Sequence, residues 1–260
     1  GTENVLIKEG YPLGLFYGLQ MEGIRSNWYS DSNGVGSADS PWWYATEREM
    51  PYGFPSFADI NGDGKINNGS YTINDMGDMK KIGNSTPRFM TGINLDAAYK
   101  GWDLQMFWQG VLKRDWWPGD KNMTFWGVTD GEWWSTSFKE HLDYFRTSEN
   151  PLGENLNSYY PRPIFNTKNN KSQTRYLQNA AYMRLKNIQV GYTFPKVWIN
   201  KLMLQNLRIF VSGENLLTIT SLSDTMDPET CGAGYQSTEQ ANGTVYPLAK
   251  TISFGLSVNF

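Results

Sequence analysis

Apolar and polar side chains alternate along several segments of the chain. The final nine residues, ISFGLSVNF, place apolar side chains at every second position from Ile252 to Phe260. Strict alternation is typical of a β-strand with one apolar face. The same pattern predicts six strands, near 11–22, 88–99, 102–110, 182–194, 204–218 and 249–260. Only residues 133–147 have a spacing compatible with an amphipathic helix, so the sequence predicts an all-β fold.

The connections between these strands alternate between short and long. Lys100-Gly101 separates two strands and Pro195 opens a short turn, whereas the loops 23–87, 111–180 and 219–248 are long. Alternation by itself fits a sheet packed on a protein core as well as one facing lipid. Short turns at one end and long loops at the other are typical of outer-membrane barrels. We therefore predict part of a large antiparallel up-and-down transmembrane β-barrel, with long extracellular loops and a periplasmic C-terminus.

Composition argues against nucleic-acid binding and favours a ligand-binding or membrane protein. The 260 residues carry 23 basic and 26 acidic side chains and a net charge of −3, which gives no electrostatic case for nucleic acid. Aromatic residues reach 15%, which suggests a ligand surface or the aromatic girdles of a membrane barrel. The chain begins without an initiator Met or a signal-peptide core, so we expect a piece of a longer protein.

Eight motifs in order resemble the SusC-like (SusC/RagA) TonB-dependent outer-membrane transporters. They are GYPLGLFYGLQMEGI, DINGDGKI, KKIGNSTPRFMTGINLDAAYKGWDLQMFWQG, YPRPIF, AAYMRLKNIQVGYTFP, LRIFVSGENLLTIT, MDPE and YPLAKTISFGLSVNF. The resemblance covers nearly the whole chain and implies the C-terminal portion of a barrel of roughly 22 strands. The plug and the N-terminal strands of such a transporter are absent from these residues, so other segments would complete the barrel.

The same resemblance implies a function and a set of partners. It implies TonB-dependent import of a nutrient, most readily an oligosaccharide and otherwise a peptide, across the outer membrane. A SusD-like surface lipoprotein would capture the ligand, TonB would act through the absent plug, and the strands would contact outer-membrane lipid. It also makes the terminal aromatic Phe260 an expected recognition signal for the insertion machinery.

DINGDGKINNGS resembles a calcium-binding loop of the EF-hand type. Hard oxygen ligands two residues apart, with Gly64 permitting the bend, can surround a calcium ion. Position 12 is Ser70 instead of an acid, so an insertion would make a later carboxylate complete the site, with Asp75 in reserve. The candidate ligands are Asp59, Asn61, Asp63, the carbonyl of Lys65, and Asp78. The other interpretation is a metal-free loop held by Asx turns.

Tryptophan clusters in the long loops are the candidate substrate contacts. Aromatic rings stack on the apolar faces of sugars and serve peptides in a similar way. The candidates are Trp42, Trp43, Trp116, Trp117, Trp126, Trp133 and Trp134. Alternatively, these rings pack the long loops together or lie in an interfacial girdle.

Catalytic chemistry has little support in the sequence. His141 is the only histidine and has no nucleophile motif nearby, and Cys231 is the only cysteine, which excludes an internal disulfide. Acidic pairs such as Asp130 and Glu132 are expected by number alone among 26 acids. We expect no enzymatic activity. The competing functional hypothesis is a secreted, calcium-stabilised β-rich module that binds glycans.

Overall fold

The computed structural model describes most of the chain as two compact units. The described residues are 9–24, 53, 55–64, 66–70, 72, 74–119, 122–127, 136–163, 171–231 and 246–260. The first unit, here called the loop unit, comprises 1–86, 115–178 and 223–245. The second, here called the sheet unit, comprises 87–114, 179–222 and 246–260. Within the described ranges, no helix has the length and apolar character needed to cross a membrane.

Strands are the main regular secondary structure of the described residues, long in the sheet unit and short in the loop unit. They are β1 (Leu15–Leu19), β2 (Met21–Ile24), β3 (Pro55–Phe57), β4 (Met79–Asn84), β5 (Arg88–Tyr99), β6 (Trp102–Lys113), β7 (Asp115–Trp116), β8 (Gln178–Asn179), β9 (Tyr182–Thr193), β10 (Asn206–Thr220) and β11 (Thr251–Asn259). The described helices have four residues each, α1 at Met123–Trp126 and α2 at Lys196–Ile199. The 3₁₀ turns lie at Lys139–Leu142 and Asn200–Leu202. The fold is all-β.

One five-stranded antiparallel sheet forms the sheet unit. Its order is β11-β10-β9-β6-β5. Each strand of this sheet therefore pairs with the strand of the sheet that precedes or follows it along the chain, even where a long loop separates the two. These strands lie within a few residues of the last five segments that the alternation predicts. The long strands alternate because a pleated strand sends successive side chains to opposite faces.

The β5–β6 hairpin turns on two residues in left-handed conformations. Lys100 has φ +49° and Gly101 has φ +88°, the arrangement of a type I′ turn, whose twist suits a two-residue hairpin. A side chain on Gly101 would come within 2.7 Å of the Thr193 carbonyl, so only glycine fits. The β9–β10 connection is longer, from residue 194 to 205, and contains α2 and the following 3₁₀ turn. Both short turns lie at the same end of the sheet.

The first predicted strand differs from the prediction. Residues 11–22 do not form one continuous strand; β1 ends at Leu19 and β2 begins at Met21. β1 pairs with β4 inside the loop unit, and β2 pairs with β3. Both faces of β1 are buried, so its alternating pattern does not mark one exposed face. Its apolar side chains join a small core made by Leu15, Tyr17, Leu19, Phe57, Ile66 and Met79.

The predicted helix over 133–147 is wrong for the part that the structure describes. Residues 136–147 contain only the four-residue 3₁₀ turn at Lys139–Leu142. The isolated bridges that follow, Tyr144 to Tyr160 and Arg146 to Asn155, fold the segment back on itself instead. The aromatic side chains of this segment therefore gain burial through a compact loop and not through an amphipathic helix.

Candidate functional site

One face of the sheet unit is apolar and open. Strand register aligns Tyr99, Trp102, Tyr192, Ile209 and Leu256 in one row, and Ala97, Leu104, Val190, Val211 and Phe254 in the next. A third row continues through Leu95, Met106, Ile188, Gly213 and Ile252. Ten large apolar side chains on this face are between 39% and 81% exposed: Ile93, Leu95, Tyr99, Trp102, Val190, Ile209, Val211, Ile252, Phe254 and Leu256. We call this surface the apolar face.

The opposite face of the same sheet is polar. Its central row aligns Asp96, Gln105, Gln189, Ser212 and Ser253 across all five strands. An ion pair lies beside this row and spans β9. The guanidinium of Arg208 donates to both carboxylate oxygens of Asp103, over 2.5 and 3.1 Å. Two parallel bonds of this kind are stronger and more directional than a single contact.

Gly191 makes that ion pair possible. Asp103 lies on β6 and Arg208 on β10, and Gly191 on β9 stands between them. A side chain at Gly191 would come within 2.5 Å of Asp103 Oδ2. The missing side chain therefore lets the two charged groups meet above the middle strand.

Aromatic rings collect on the apolar face at the short-turn end. Trp102 and Tyr192 have ring centroids 5.0 Å apart, and Tyr192 lies 5.1 Å from Phe194. Phe194 lies 6.4 Å from Trp198 on α2. Tryptophan and tyrosine prefer the boundary between hydrocarbon and water, where an apolar ring and a polar tip are both accommodated. This row therefore has the chemistry of a membrane-interface belt.

The acidic loop is held by its own hydrogen bonds. Asp59 accepts from the backbone N–H groups of Gly62 and Gly64 over 2.7 and 2.8 Å. The buried carboxylate of Asp78 accepts from Ile60 over 2.7 Å and from Asn67 over 2.8 Å. Both carboxylates therefore stabilise the loop, because each of their oxygens accepts a hydrogen bond from a backbone N–H group. Such bonds stabilise Asx-type turns without an ion.

The predicted calcium ligands are only partly assembled. Asn61 accepts from the Asp63 N–H over 2.9 Å and donates its amide to Asp63 Oδ2 over 3.0 Å. Among the described residues, no three His, Cys, Asp or Glu side chains converge to hold a metal ion. The carbonyl of Lys65 lies outside the described residues. The reserve acid Asp75 is engaged by the backbone N–H and hydroxyl of Ser70. These hydrogen bonds lower the pKa of Asp75.

Three of the predicted substrate-contact tryptophans lie in a core. Trp116, Trp117 and Trp126 are 2%, 6% and 0% exposed. Trp117 and Trp126 meet edge to face at 6.0 Å, and Trp116 meets Phe125 at 6.4 Å. Their ring faces are covered by protein, so a sugar cannot stack on them in this arrangement. Their position fits the alternative interpretation, in which these rings pack the long loops together.

The core continues as an aromatic cluster inside the loop unit. Phe125 and Trp126 contact Tyr176 at 6.4 and 5.0 Å, and Tyr160 stacks on Tyr176 at 6.2 Å. Asn122 caps α1 by accepting from the Phe125 N–H over 2.9 Å, and the Trp126 indole donates to the Gly119 carbonyl over 2.7 Å. We call these rings, with Trp116, Trp117 and Tyr159, the aromatic core. Burial raises the pKa of the Tyr160 and Tyr176 hydroxyls.

His141 closes one side of the aromatic core. Its ring lies 5.2 Å from Tyr160, its Nδ1 accepts from the Phe138 N–H over 2.8 Å, and its Nε2 donates to the Phe125 carbonyl over 2.9 Å. Because Nδ1 accepts, the ring is neutral with its proton on Nε2. Burial holds the pKa of His141 below its usual 6.5. The histidine is therefore a structural group, in keeping with the absence of a nucleophile motif beside it.

The remaining predicted site residues lie outside the described residues. They are Trp42, Trp43, Trp133 and Trp134, together with the acidic pair Asp130 and Glu132. Substrate contact by these tryptophans stays a prediction. Cys231 is buried, so it is a packed thiol.

Sequence reasoning missed two arrangements. The Asp103–Arg208 pair joins strands 105 positions apart, and only the register of three strands brings the two side chains together. The signal available in the sequence was Gly191, a glycine inside an otherwise regular strand, which often marks a close approach. The aromatic core unites residues from three separate loop segments, and no spacing along the chain encodes that assembly.

Comparison with known proteins identifies a consistent set of relatives. No family model matches the sequence. The chain is 29% identical over 264 residues to TonB-dependent receptor P3 of Formosa agariphila, a match that covers 98% of this chain and 23% of the relative. Solved structures of the RagAB peptide importer match the whole chain at 19% identity. The TM-score is 0.55 for the open-open state and 0.56 for the closed-closed state, over 24% and 25% of the matched chain.

These matches confirm the resemblance to SusC-like TonB-dependent transporters. They also confirm the fold class, since an all-β antiparallel chain superposes on part of such a transporter. The chain spans about a quarter of the length of the relatives that it matches.

Proposed function

We propose that this chain forms a barrel segment of an outer-membrane transporter that imports a nutrient with energy from TonB. The observation that carries the proposal is the apolar face of the sheet unit, where ten large side chains lie open in contiguous rows. A water-exposed protein rarely leaves so large an apolar patch uncovered. Lipid covers such a surface at no cost, so the apolar face is the outer wall of the barrel.

The two faces of the sheet support different roles. Lipid meets the apolar face, while the polar row from Asp96 to Ser253 lines the interior through which solute and water pass. The belt of Trp102, Tyr192, Phe194 and Trp198 lies where the outer wall meets one membrane surface. In this proposal the short turns lie at the periplasmic side and the long loops outside the cell, as is typical of outer-membrane barrels.

The partners follow from the family resemblance. A SusD-like surface lipoprotein binds the ligand over the extracellular loops, and TonB acts through a plug that lies in another segment of the same transporter. The receptor from Formosa agariphila is named as TonB-dependent, which supports the energy source. The solved relatives form the two-component RagAB importer, which supports a second protein at the barrel.

The substrate is an oligosaccharide in our proposal, with a peptide as the second candidate. RagAB is described as a peptide importer, which supports the second candidate. Three of the candidate tryptophans are buried and cannot stack on a sugar: Trp116, Trp117 and Trp126. The stacking argument therefore depends on Trp42, Trp43, Trp133 and Trp134.

Fractionation and growth test the proposed function. The intact protein should sediment with the outer membrane and leave it only in detergent. Deleting its gene should abolish growth on one class of oligosaccharide while growth on monosaccharides continues. A protein that stays soluble without detergent would instead support the secreted glycan-binding module. If the deletion abolished growth on peptides but not on oligosaccharides, the proposed substrate would be a peptide.

We also propose that calcium braces the loop at Asp59 to Asp78. Asp59, Asn61, Asp63, the Lys65 carbonyl and Asp78 would supply oxygen ligands, and Asp78 would also hold the backbone between them. Calcium should slow protease cleavage in this loop of the intact protein, and Asp63→Asn should remove the effect. Asp224→Asn, outside this loop, is the matched control and should keep the effect. Equal cleavage with calcium and with chelator would support the other interpretation, a metal-free loop held by Asx turns.

A further inference from the structure

The short-turn end of the sheet unit carries an exposed apolar and basic surface. Val197, Trp198 and Met203, in and after α2, are 78%, 61% and 88% exposed. Lys196 and Lys201 lie between and beside them and are exposed as well. Lys100, in the neighbouring hairpin turn, is also exposed, and its ammonium lies 5.1 Å from the Tyr99 ring. Apolar side chains interleaved with lysines are typical of segments that lie at a lipid headgroup boundary.

An apolar groove of about 410 Å³ begins beside these turns. Its walls are Trp102, Val190, Tyr192, Ile209, Val211 and Phe254. The groove runs from the Trp102–Tyr192 row to the next row of the apolar face, so it is continuous with the proposed outer wall. The Tyr192 ring packs against the hairpin turn, because a side chain at Gly101 would meet Tyr192 Cε2 at 3.2 Å. Tyr192 therefore joins the groove to the turn that carries Lys100.

Charge at this end is of one sign. Segments 97–102, 192–207 and 254–260 contain three lysines and no acidic side chain. Asp103 and Arg208, which directly follow two of these segments, neutralise each other on the polar face. The side chains of this end therefore contribute three positive charges beside an apolar groove.

We infer that this end of the sheet unit is a binding site for an acidic phospholipid, an inference that rests on the membrane location proposed above. One acyl chain occupies the groove between Trp102, Val211 and Phe254. The headgroup phosphate lies over Lys100, Lys196 and Lys201, where ammonium groups complement its charge. A zwitterionic lipid fits the groove equally well but gains less from the lysines, so the site selects by headgroup.

Lipid retention by the intact transporter tests this inference. The purified full-length protein is exchanged into detergent with equal amounts of phosphatidylglycerol and phosphatidylcholine that carry the same acyl chains. Native mass spectrometry then counts the lipids that stay bound. We expect preferential retention of phosphatidylglycerol. Replacing Lys100, Lys196 and Lys201 by Gln should lower that preference by about fivefold per lysine.

Two controls distinguish binding at this site from a general effect of positive charge and from a general effect of apolar surface. Arg88→Gln, Lys113→Gln and Lys186→Gln together remove the same charge from the chain away from the short turns and should keep the preference. Val211→Phe should fill the groove and reduce retention of both lipids, whereas Leu95→Phe, on the apolar face outside the groove, should not.

Equal retention of the two lipids by the unmodified protein, or an equal loss of preference in the two triple variants, would overturn the inference. Failure of the unmodified protein to fractionate with the outer membrane would instead overturn the proposed function.

Discussion

At the scale of single residues, His141 shows how burial fixes a protonation state. Its Nδ1 accepts a backbone N–H and its Nε2 donates to a backbone carbonyl, so both ring nitrogens are satisfied only in the neutral form. Protonation would place a second N–H against the Phe138 N–H, inside an environment of tyrosine rings. The lowered pKa of His141 expresses the cost of charging this site.

The loop unit should therefore loosen as pH falls. The pKa of His141 is lower folded than the 6.5 of the unfolded chain, so the unfolded state binds more protons between these values. Stability is complete above pH 6.5 and is lost progressively as pH falls towards the folded pKa. In the intact protein, the hydrogen-exchange protection factors of residues 136–163, which correct for the slower intrinsic exchange at low pH, should fall from pH 7.5 to pH 5.5. His141→Gln keeps an N–H donor near the Nε2 position and should remove most of this pH dependence; an unchanged response in that variant would contradict the assignment.

Gly191 is the residue on which the ion pair across the sheet depends. Gly191→Ala should push Asp103 and Arg208 apart, because its added methyl would come within 2.5 Å of the Asp103 carboxylate. Crowding of this kind typically lowers the free energy of unfolding by about 1–3 kcal/mol. The temperature at which the folded band disappears on unheated electrophoresis gels should fall accordingly.

Gly92→Ala is the matched control, since its nearest neighbour would be Phe107 Cε2 at 3.3 Å, a flexible ring edge. Equal destabilisation by both substitutions would show that lost backbone flexibility, and not the ion pair, decides the effect.

At the scale of elements, the long strands were readable from sequence and the loop elements were not. The alternation holds along β11 and most of β5, and over shorter runs in β6 (Trp102–Trp108), β9 (Ile188–Tyr192) and β10 (Leu207–Val211). A period of two is the signature of a strand with one apolar face. β1 is buried on both faces, and Leu15, Tyr17 and Leu19 pack on one of them against Phe57, Ile66 and Met79. Partners that distant leave no local trace in the pattern.

The short helix α1 should be the most sensitive element of the loop unit. Trp126 is fully buried and touches Phe125, Trp117 and Tyr176. Trp126→Ala should leave a cavity and cost about 3–5 kcal/mol. Limited proteolysis of the intact protein should then cut residues 116–163 much faster while the sheet unit stays resistant. The exposed Tyr246→Ala is the control and should leave cleavage unchanged. Undiminished resistance in Trp126→Ala would mean that the aromatic core does not hold the loops.

At the scale of the whole molecule, the two units distribute apolar surface in opposite ways. The loop unit buries its aromatic side chains in an internal core, as a water-exposed structure does. The sheet unit leaves its apolar face open and turns its polar side chains to the other face. Alternating parity and alternating loop length predicted the sheet unit from sequence. The placement of the tryptophans required the fold, because a tryptophan pair has the same spacing in a core as on a binding surface.

A matched pair of adjacent residues tests which solvent the apolar face meets. Val211 lies on the apolar face and Ser212 on the polar face of the same strand, β10. Lysine on a lipid-facing strand near the membrane centre costs about 2–4 kcal/mol, whereas lysine in a wet interior costs little. Val211 lies one row inward from the Trp102–Tyr192 row, where the cost is below the value at the membrane centre. Val211→Lys should still reduce the amount of folded, heat-modifiable protein in the outer-membrane fraction, and Ser212→Lys should leave it near the unmodified level. The reverse order would place lipid against the polar face, and equal assembly of both variants would place water on both faces.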